Sequence, residues 1–216
     1  MSKEILAQRR FWNDEADSFQ RIYTHEKSRF ANGLDRLFRK DMYQRFVFTI
    51  EHCEPVANRT FLDVGCGNGL YSLELARRGA AKVTGIDIAE VMIEACKRSS
   101  VAESLEDRCT FIHTDLLAYK AESNFDVSFG IGLFDYIRDP LPVLKRMREV
   151  STDKAIMAFP RLWTWRAPVR KVRLARKGCD VYFYSKPRIE QLLRDAGFSR
   201  QEIFKVGKLY CVVAHV

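Results

Sequence analysis

Residues Phe61-Leu62-Asp63-Val64-Gly65-Cys66-Gly67-Asn68-Gly69 decide how the chain is read: an apolar run closes on an acidic residue and opens into a turn with glycine at every second position. A short, nearly continuous apolar run of this kind is expected of a strand buried on both faces. Glycine is needed in the turn because a side chain would block close approach of the backbone to a ligand. It is needed also because the chain must visit φ > 0 to swing into the next helix. The N–H groups at that helix start, from Leu70 onward, then face the ligand. The stretch therefore reads as a buried strand running into a nucleotide-binding turn. A dinucleotide fingerprint, G-x-G-x-x-G, wants glycine at position 70, where Leu70 stands, and the third glycine here is Gly69.

Two further segments repeat the plan. Lys82-Val-Thr-Gly-Ile-Asp87 and Cys109-Thr-Phe-Ile-His-Thr-Asp115 are short apolar strands that end in an acid, at the edge where α/β sheets bind ligands. Three acids at corresponding places are hard to attribute to packing, because an unpaired buried carboxylate is costly. A carboxylate in the place of Asp87 can accept both ribose hydroxyls of an adenosine. His113, inside the third strand, reads as a satisfied structural histidine.

Asp63-x-Gly65-x-Gly67-x-Gly69 resembles motif I of the class I methyltransferases that use S-adenosylmethionine (SAM). Phe125-Asp-Val-Ser-Phe-Gly130-Ile-Gly-Leu-Phe-Asp135-Tyr136 resembles their motif IV, the fourth strand and the loop bordering the transferred methyl group. The resemblance implies an α/β, Rossmann-like three-layer sandwich with a mostly parallel seven-stranded sheet, an antiparallel C-terminal hairpin strand and an N-terminal helical lid. It implies SAM as cofactor and S-adenosylhomocysteine (SAH) as product, held by Asp63, Gly65, Cys66, Gly67 and Asn68 of the turn, by Asp87, and by Gly130. Ile88 and Met92 would sandwich the adenine, and Asp115, with Leu116 beside it, would meet the adenine amino group. Where the family often carries Glu-His or His-His, this chain has Asp135-Tyr136, which removes a histidine that is a candidate base in some O-methylating relatives.

Around these motifs the chain orders itself. Over residues 5–19, Trp12, Ala16 and Phe19 fall on one helical face, and similar elements in the family close over the cofactor. Tyr23-Thr-His25-Glu breaks that periodicity and reads as a connection, with Tyr23 facing the substrate. A second amphipathic helix spans about 34–53. A helix over 71–78 ends at Gly79, another begins at Asp139-Pro140, and a fifth strand covers 155–160. Ser185 heads a last helix ending at Gly197, and two strands, 201–206 and 209–215, finish the chain. Residues 1–55 are thus expected to form the lid and 56–216 the cofactor-binding core, with an insertion at about 161–180.

That insertion carries the charge. The formal net charge is +8, and without Arg161, Arg166, Arg170, Lys171, Arg173, Arg176 and Lys177, a run with no acid, it falls to +1. An acidic partner is the simplest compensation for such a run. Arg161 and Arg166, nearest the strand end, are expected to recognise an anionic small-molecule acceptor, while a peripheral membrane contact through 161–177 is open to the later residues. An RNA methyltransferase is the second reading, since the run also contains Trp163 and Trp165 for base stacking. A noncatalytic SAM-binding protein is the third. The six cysteines are scattered without metal-ligand spacing, so no metal is expected and the thiols read as reduced. With 47% hydrophobic residues and no apolar run of membrane-spanning length, one globular, cytoplasmic protein is expected.

Methyl transfer from a sulfonium asks the protein to align two partners and exclude water, and for some acceptors to remove a proton. If a base is needed, the candidates are His25, Asp135 and Tyr136. Whether the methylated atom is O, N or C is left open by these residues.

Overall fold

The computed structural model describes residues 8–13, 34–162 and 180–216. After a helical stretch α1 (8–13), the elements run α2 (Leu34–Cys53), β1 (Thr60–Val64), α3 (Leu70–Arg77), β2 (Lys82–Asp87), α4 (Glu90–Ala102), β3 (Cys109–His113), β4 (Phe125–Ile131), α5 (Leu141–Val150), β5 (Ser151–Pro160), α6 (Lys186–Ala196), β6 (Arg200–Val206) and β7 (Leu209–His215). One seven-stranded sheet has the order β3-β2-β1-β4-β5-β7-β6. The first five strands are parallel neighbours, and β7 runs antiparallel to both β5 and β6.

Burial explains the sequence pattern of β1. It lies between β2 and β4, and Phe61 and Leu62 are both fully buried. Phe61 faces a core shared with α2, α3 and α4, where Phe48, Leu75, Ile93 and Phe129 meet. Leu62 and Val64 face the other layer, where α5 and α6 supply Leu144, Met147, Ile189 and Leu192. Three layers follow from this alternation. The chain goes from β1 to β2 and β3 on one side, then returns to β4 on the other side of β1. The carboxyl ends of β1 and β4 therefore flank a topological switch point, where the sheet leaves a crevice.

Several boundaries differ from expectation for local reasons. The third strand stops at His113, because the Asp115 carboxylate turns to accept the Leu117 N–H at 2.8 Å. The fifth strand starts at Ser151, directly after α5, since its backbone is already extended and pairs with Phe125. The helix expected from Asp139-Pro140 begins at Leu141, whose N–H the Asp139 side chain accepts at 3.3 Å. Ser185 occupies the N-cap of α6 without its hydroxyl oxygen accepting a capping hydrogen bond, and Gly197 ends that helix at φ 87°. Ala16, Phe19 and the helix expected near Pro168 lie outside the described residues.

Candidate active site

The turn after β1 places all three glycines in the left-handed region: φ is 72° at Gly65, 53° at Gly67 and 78° at Gly69. An L side chain is strained at each of these positions. The turn is fastened to β2, because the N–H groups of Gly65 and Cys66 both donate to the Ile86 carbonyl, at 2.8 and 3.0 Å. Gly69 then heads α3, and the Gly67 N–H donates to the Asp87 carboxylate at 2.9 Å.

Strand register sets three carboxylates on a staircase. Asp63 pairs with Gly85, so it lies two residues below the level of Asp87; Asp87 pairs with His113, two residues below Asp115. At about 3.3 Å per residue the step from Asp63 to Asp87 is roughly 7 Å, which suits an extended ligand rather than a metal ion, and Asp115 follows in the turn beyond β3. Among the described residues no group of three or more His, Cys, Asp and Glu is placed to hold a metal.

Depth gives each acid its own character. Asp63 is 2% exposed and accepts a hydrogen bond from the Ser72 hydroxyl at 2.7 Å. Burial pushes its pKa up from 3.8 to about 7; the Ser72 hydrogen bond opposes the shift and Asp87 adds to it. Asp87 is half-buried at the rim, with one oxygen accepting from Gly67 and the other from the Ala89 N–H at 2.8 Å. Burial raises its pKa too, against those N–H groups and His113. Each carboxylate oxygen keeps a lone pair for a further donor. His113 is the satisfied residue expected, with Nε2 3.0 Å from the Ile88 carbonyl.

The expected cofactor residues divide between the crevice and the core beneath it. Asn68 accepts weakly from the Leu70 N–H at 3.4 Å. The Cys66 side chain is buried under the turn beside Cys96, whose thiol donates to the Gly67 carbonyl. Leu116 packs in the core on the α5 and α6 side. Met92 is buried with Ala89 under Trp12. The five described cysteines are all buried and free of disulfides.

On the β4 side, Gly130 and Gly65 approach a common neighbour. Side chains added at either glycine would meet Leu133, at 3.2 and 3.3 Å. Leu133 thus spans the switch point. Asp135, 6% exposed, and half-buried Tyr136 follow on the same loop. The Tyr136 ring lies edge-on to Trp12 with centroids 5.1 Å apart, and its carbonyl accepts a hydrogen bond from Gln8. The described part of the N-terminal segment therefore reaches from the Ala89–Met92 side of the crevice to its Tyr136 side. Arg161 stands at the end of β5, donating to the Gly207 carbonyl at 3.0 Å, with its guanidinium 5.5 Å from the centre of the Tyr210 ring. Tyr23, His25 and Arg166 lie outside the described residues. Ser72, Leu133 and Tyr184 carry no sequence signal of a site role.

A model of the methyltransferase domain matches residues 61–154. Over these residues the chain is similar to the methyltransferase domain. It is 27% identical over 160 residues to a ubiquinone biosynthesis O-methyltransferase of Psychrobacter arcticus, covering 68% of this chain and 62% of that one. A demethylmenaquinone methyltransferase of Porphyromonas gingivalis is 30% identical over 138 residues, covering 61% and 54%. The matched regions thus span less than two thirds of these curated relatives. In fold the likeness covers the whole molecule: magnesium protoporphyrin IX methyltransferase from Synechocystis, crystallised with SAH, superposes with a TM-score of 0.79 at 19% identity over 99% of both chains.

The residues of the crevice fit SAM. A buried carboxyl at Asp63 that ionises near pH 7 suits a ligand whose cationic ammonium stabilises the ionised form, the Asp87 oxygens suit two adjacent hydroxyls, and the left-handed glycines leave the backbone bare for close approach.

Proposed function

We propose that this protein methylates a small, anionic acceptor with SAM as donor. The observation that carries the reading is the carboxylate staircase rising from the switch point, with a bare glycine turn on one side and the Leu133–Tyr136 loop on the other. When bound, SAM supplies an activated methyl group to a nucleophile aligned with the S–CH₃ bond. The chain contributes alignment and exclusion of water: Asp87 and the glycine turn orient the donor, Trp12 covers it, and the loop through Asp135 and Tyr136 borders the acceptor. Asp135 and Tyr136 are the described groups available to take a proton.

The relatives support the small-molecule part of this reading, since their names describe methylation of quinone precursors and of a porphyrin. The anionic part rests on the acid-free run that begins at Arg161, a residue at the end of β5 whose guanidinium lies against the β6–β7 turn. No described helix is long and apolar enough to cross a membrane.

Tritium transfer from methyl-labelled SAM tests this directly, with catechol, 3,4-dihydroxybenzoate and bulk transfer RNA offered in parallel. The expected result is label in the small phenols, with a lower KM for the carboxylated one. Arg161→Glu should erase that preference while leaving SAH affinity within about twofold. Label in the RNA alone, with binding that weakens steeply as salt rises, would replace this reading by nucleic-acid methylation.

A further inference from the structure

The loop after β4 hangs from a residue outside every motif. Tyr184, 5% exposed, precedes α6, and its hydroxyl lies 3.2 Å from the Phe134 carbonyl and 3.1 Å from the Ile137 carbonyl. One proton shared between two acceptors clamps both ends of the loop that contains Asp135 and Tyr136. Next to it, the Tyr182 main-chain N–H donates to the Asp135 carbonyl at 2.8 Å.

Tyr184 is itself held by the sheet. Its N–H donates to the Pro160 carbonyl at 2.8 Å and its carbonyl accepts from Leu162 at 3.0 Å, so its backbone is tied to the end of β5. Its ring meets Phe159 edge-on at 5.0 Å, and Phe159 in turn packs on Phe134 at 4.5 Å. The rigidity of a central strand is thereby passed to a loop that has no regular structure of its own. The geometry points to Tyr184 as a positioning residue for methyl transfer, whose hydroxyl fixes the 134–137 loop and so sets where Asp135 and Tyr136 meet the acceptor. This rests on the methyltransferase reading of the site.

Burial, reinforced by the negative charge of Asp135, raises the Tyr184 pKa above the ordinary tyrosine range. The hydroxyl stays protonated, and the clamp stays closed, throughout the pH range in which such an enzyme works. Tyr184 therefore shapes the loop without taking part in proton transfer.

Tyr184→Phe keeps the ring and its packing and removes only the clamp. With catechol as acceptor, kcat should fall about tenfold, as expected when alignment of the reacting groups loosens, while the KM for SAM stays within about twofold. The pH profile of kcat should keep its shape. By hydrogen–deuterium exchange, amides of 133–137 should exchange about fivefold faster, the equivalent of one lost hydrogen bond, while those of 65–69 do not change. An unchanged kcat, a KM for SAM that rises in step, or a displaced pH optimum overturns the assignment. Should the wild-type protein fail to methylate catechol, that result bears on the acceptor class, and exchange decides the clamp alone. Faster exchange confined to 133–137, with calorimetric SAH affinity preserved, supports it. No change, or equal change at 65–69, overturns it.

Discussion

Replacing Asp63 by asparagine should make the cofactor-free protein more stable at pH 8 while impairing it as a cofactor binder. In the folded chain the Asp63 pKa is raised from 3.8 to about 7 by burial, so the folded state holds this proton more tightly than the unfolded chain does. Stability contributed by the protonated carboxyl is complete below about pH 4 and is lost as pH rises through 7. The shift is about three units, and at about 1.4 kcal/mol per unit the loss across this window is on the order of 4 kcal/mol. Asp87, also raised by burial, tilts the curve the same way. The side chains whose pKa values are lowered, Glu74, Asp126 and Glu202, lose their stabilising contributions at the more acid end. The asparagine side chain of the variant can still accept the Ser72 hydroxyl and never ionises. Wild type and Asp63→Asn should therefore melt close together near pH 4, below the unfolded-state pKa. At pH 8 the variant should be ahead by roughly 8 to 16 °C, at about 2 to 4 °C per kcal/mol for a chain of this size. Calorimetric SAH binding should move oppositely: wild-type affinity rises from pH 5 to 8 with release of a proton, seen as a dependence on buffer ionisation heat, and the variant binds weakly at both. Parallel melting curves for the two proteins across pH 5 to 8, or a variant less stable at pH 8, would refute the account of Asp63 as a strained acid awaiting a cation.

Asp87→Ala removes the acceptor for the Gly67 and Ala89 N–H groups as well as the proposed ribose contacts, so SAH affinity should drop by roughly 1.5 to 3 kcal/mol, and Asp87→Asn, which keeps one amide oxygen, should lose less. Equal affinity of Asp87→Ala and wild type in a calorimeter would remove Asp87 from the cofactor site. Trp12→Ala, which empties the contact with Met92 and Tyr136, should lower SAH affinity and turnover about tenfold with a change in melting temperature of only a few degrees, since the side chain is half-buried at the crevice mouth. A fall in melting temperature with unaltered SAH binding would leave Trp12 as a packing residue.

The amino-acid sequence by itself determined the turn, the alternation of strands and helices, and several boundaries to the residue, including β2 at 82–87, α2 at 34–53 and β7 at 209–215. These are legible because they are local: three alternating glycines permit one kind of turn, and an apolar run ending at an acid or a glycine marks its own limits whatever packs on it later. It also put Asp63, Asp87 and Asp115 near one edge of the sheet, but as equivalents. Only the register of the assembled sheet ranked them, sinking Asp63 beside Ser72, leaving Asp87 at the rim and turning Asp115 into a loop. The same dependence governs the side chains expected against the cofactor: Cys66 and Leu116 are contiguous in sequence with crevice residues, yet neighbouring helices draw them into the core. Tyr184 shows the limit most plainly. Its partners are 50 and 47 positions away, and nothing around a tyrosine in sequence states which carbonyls it will reach. Desolvation and long-range hydrogen bonds arise from what is brought alongside a residue, and that is decided when the layers close.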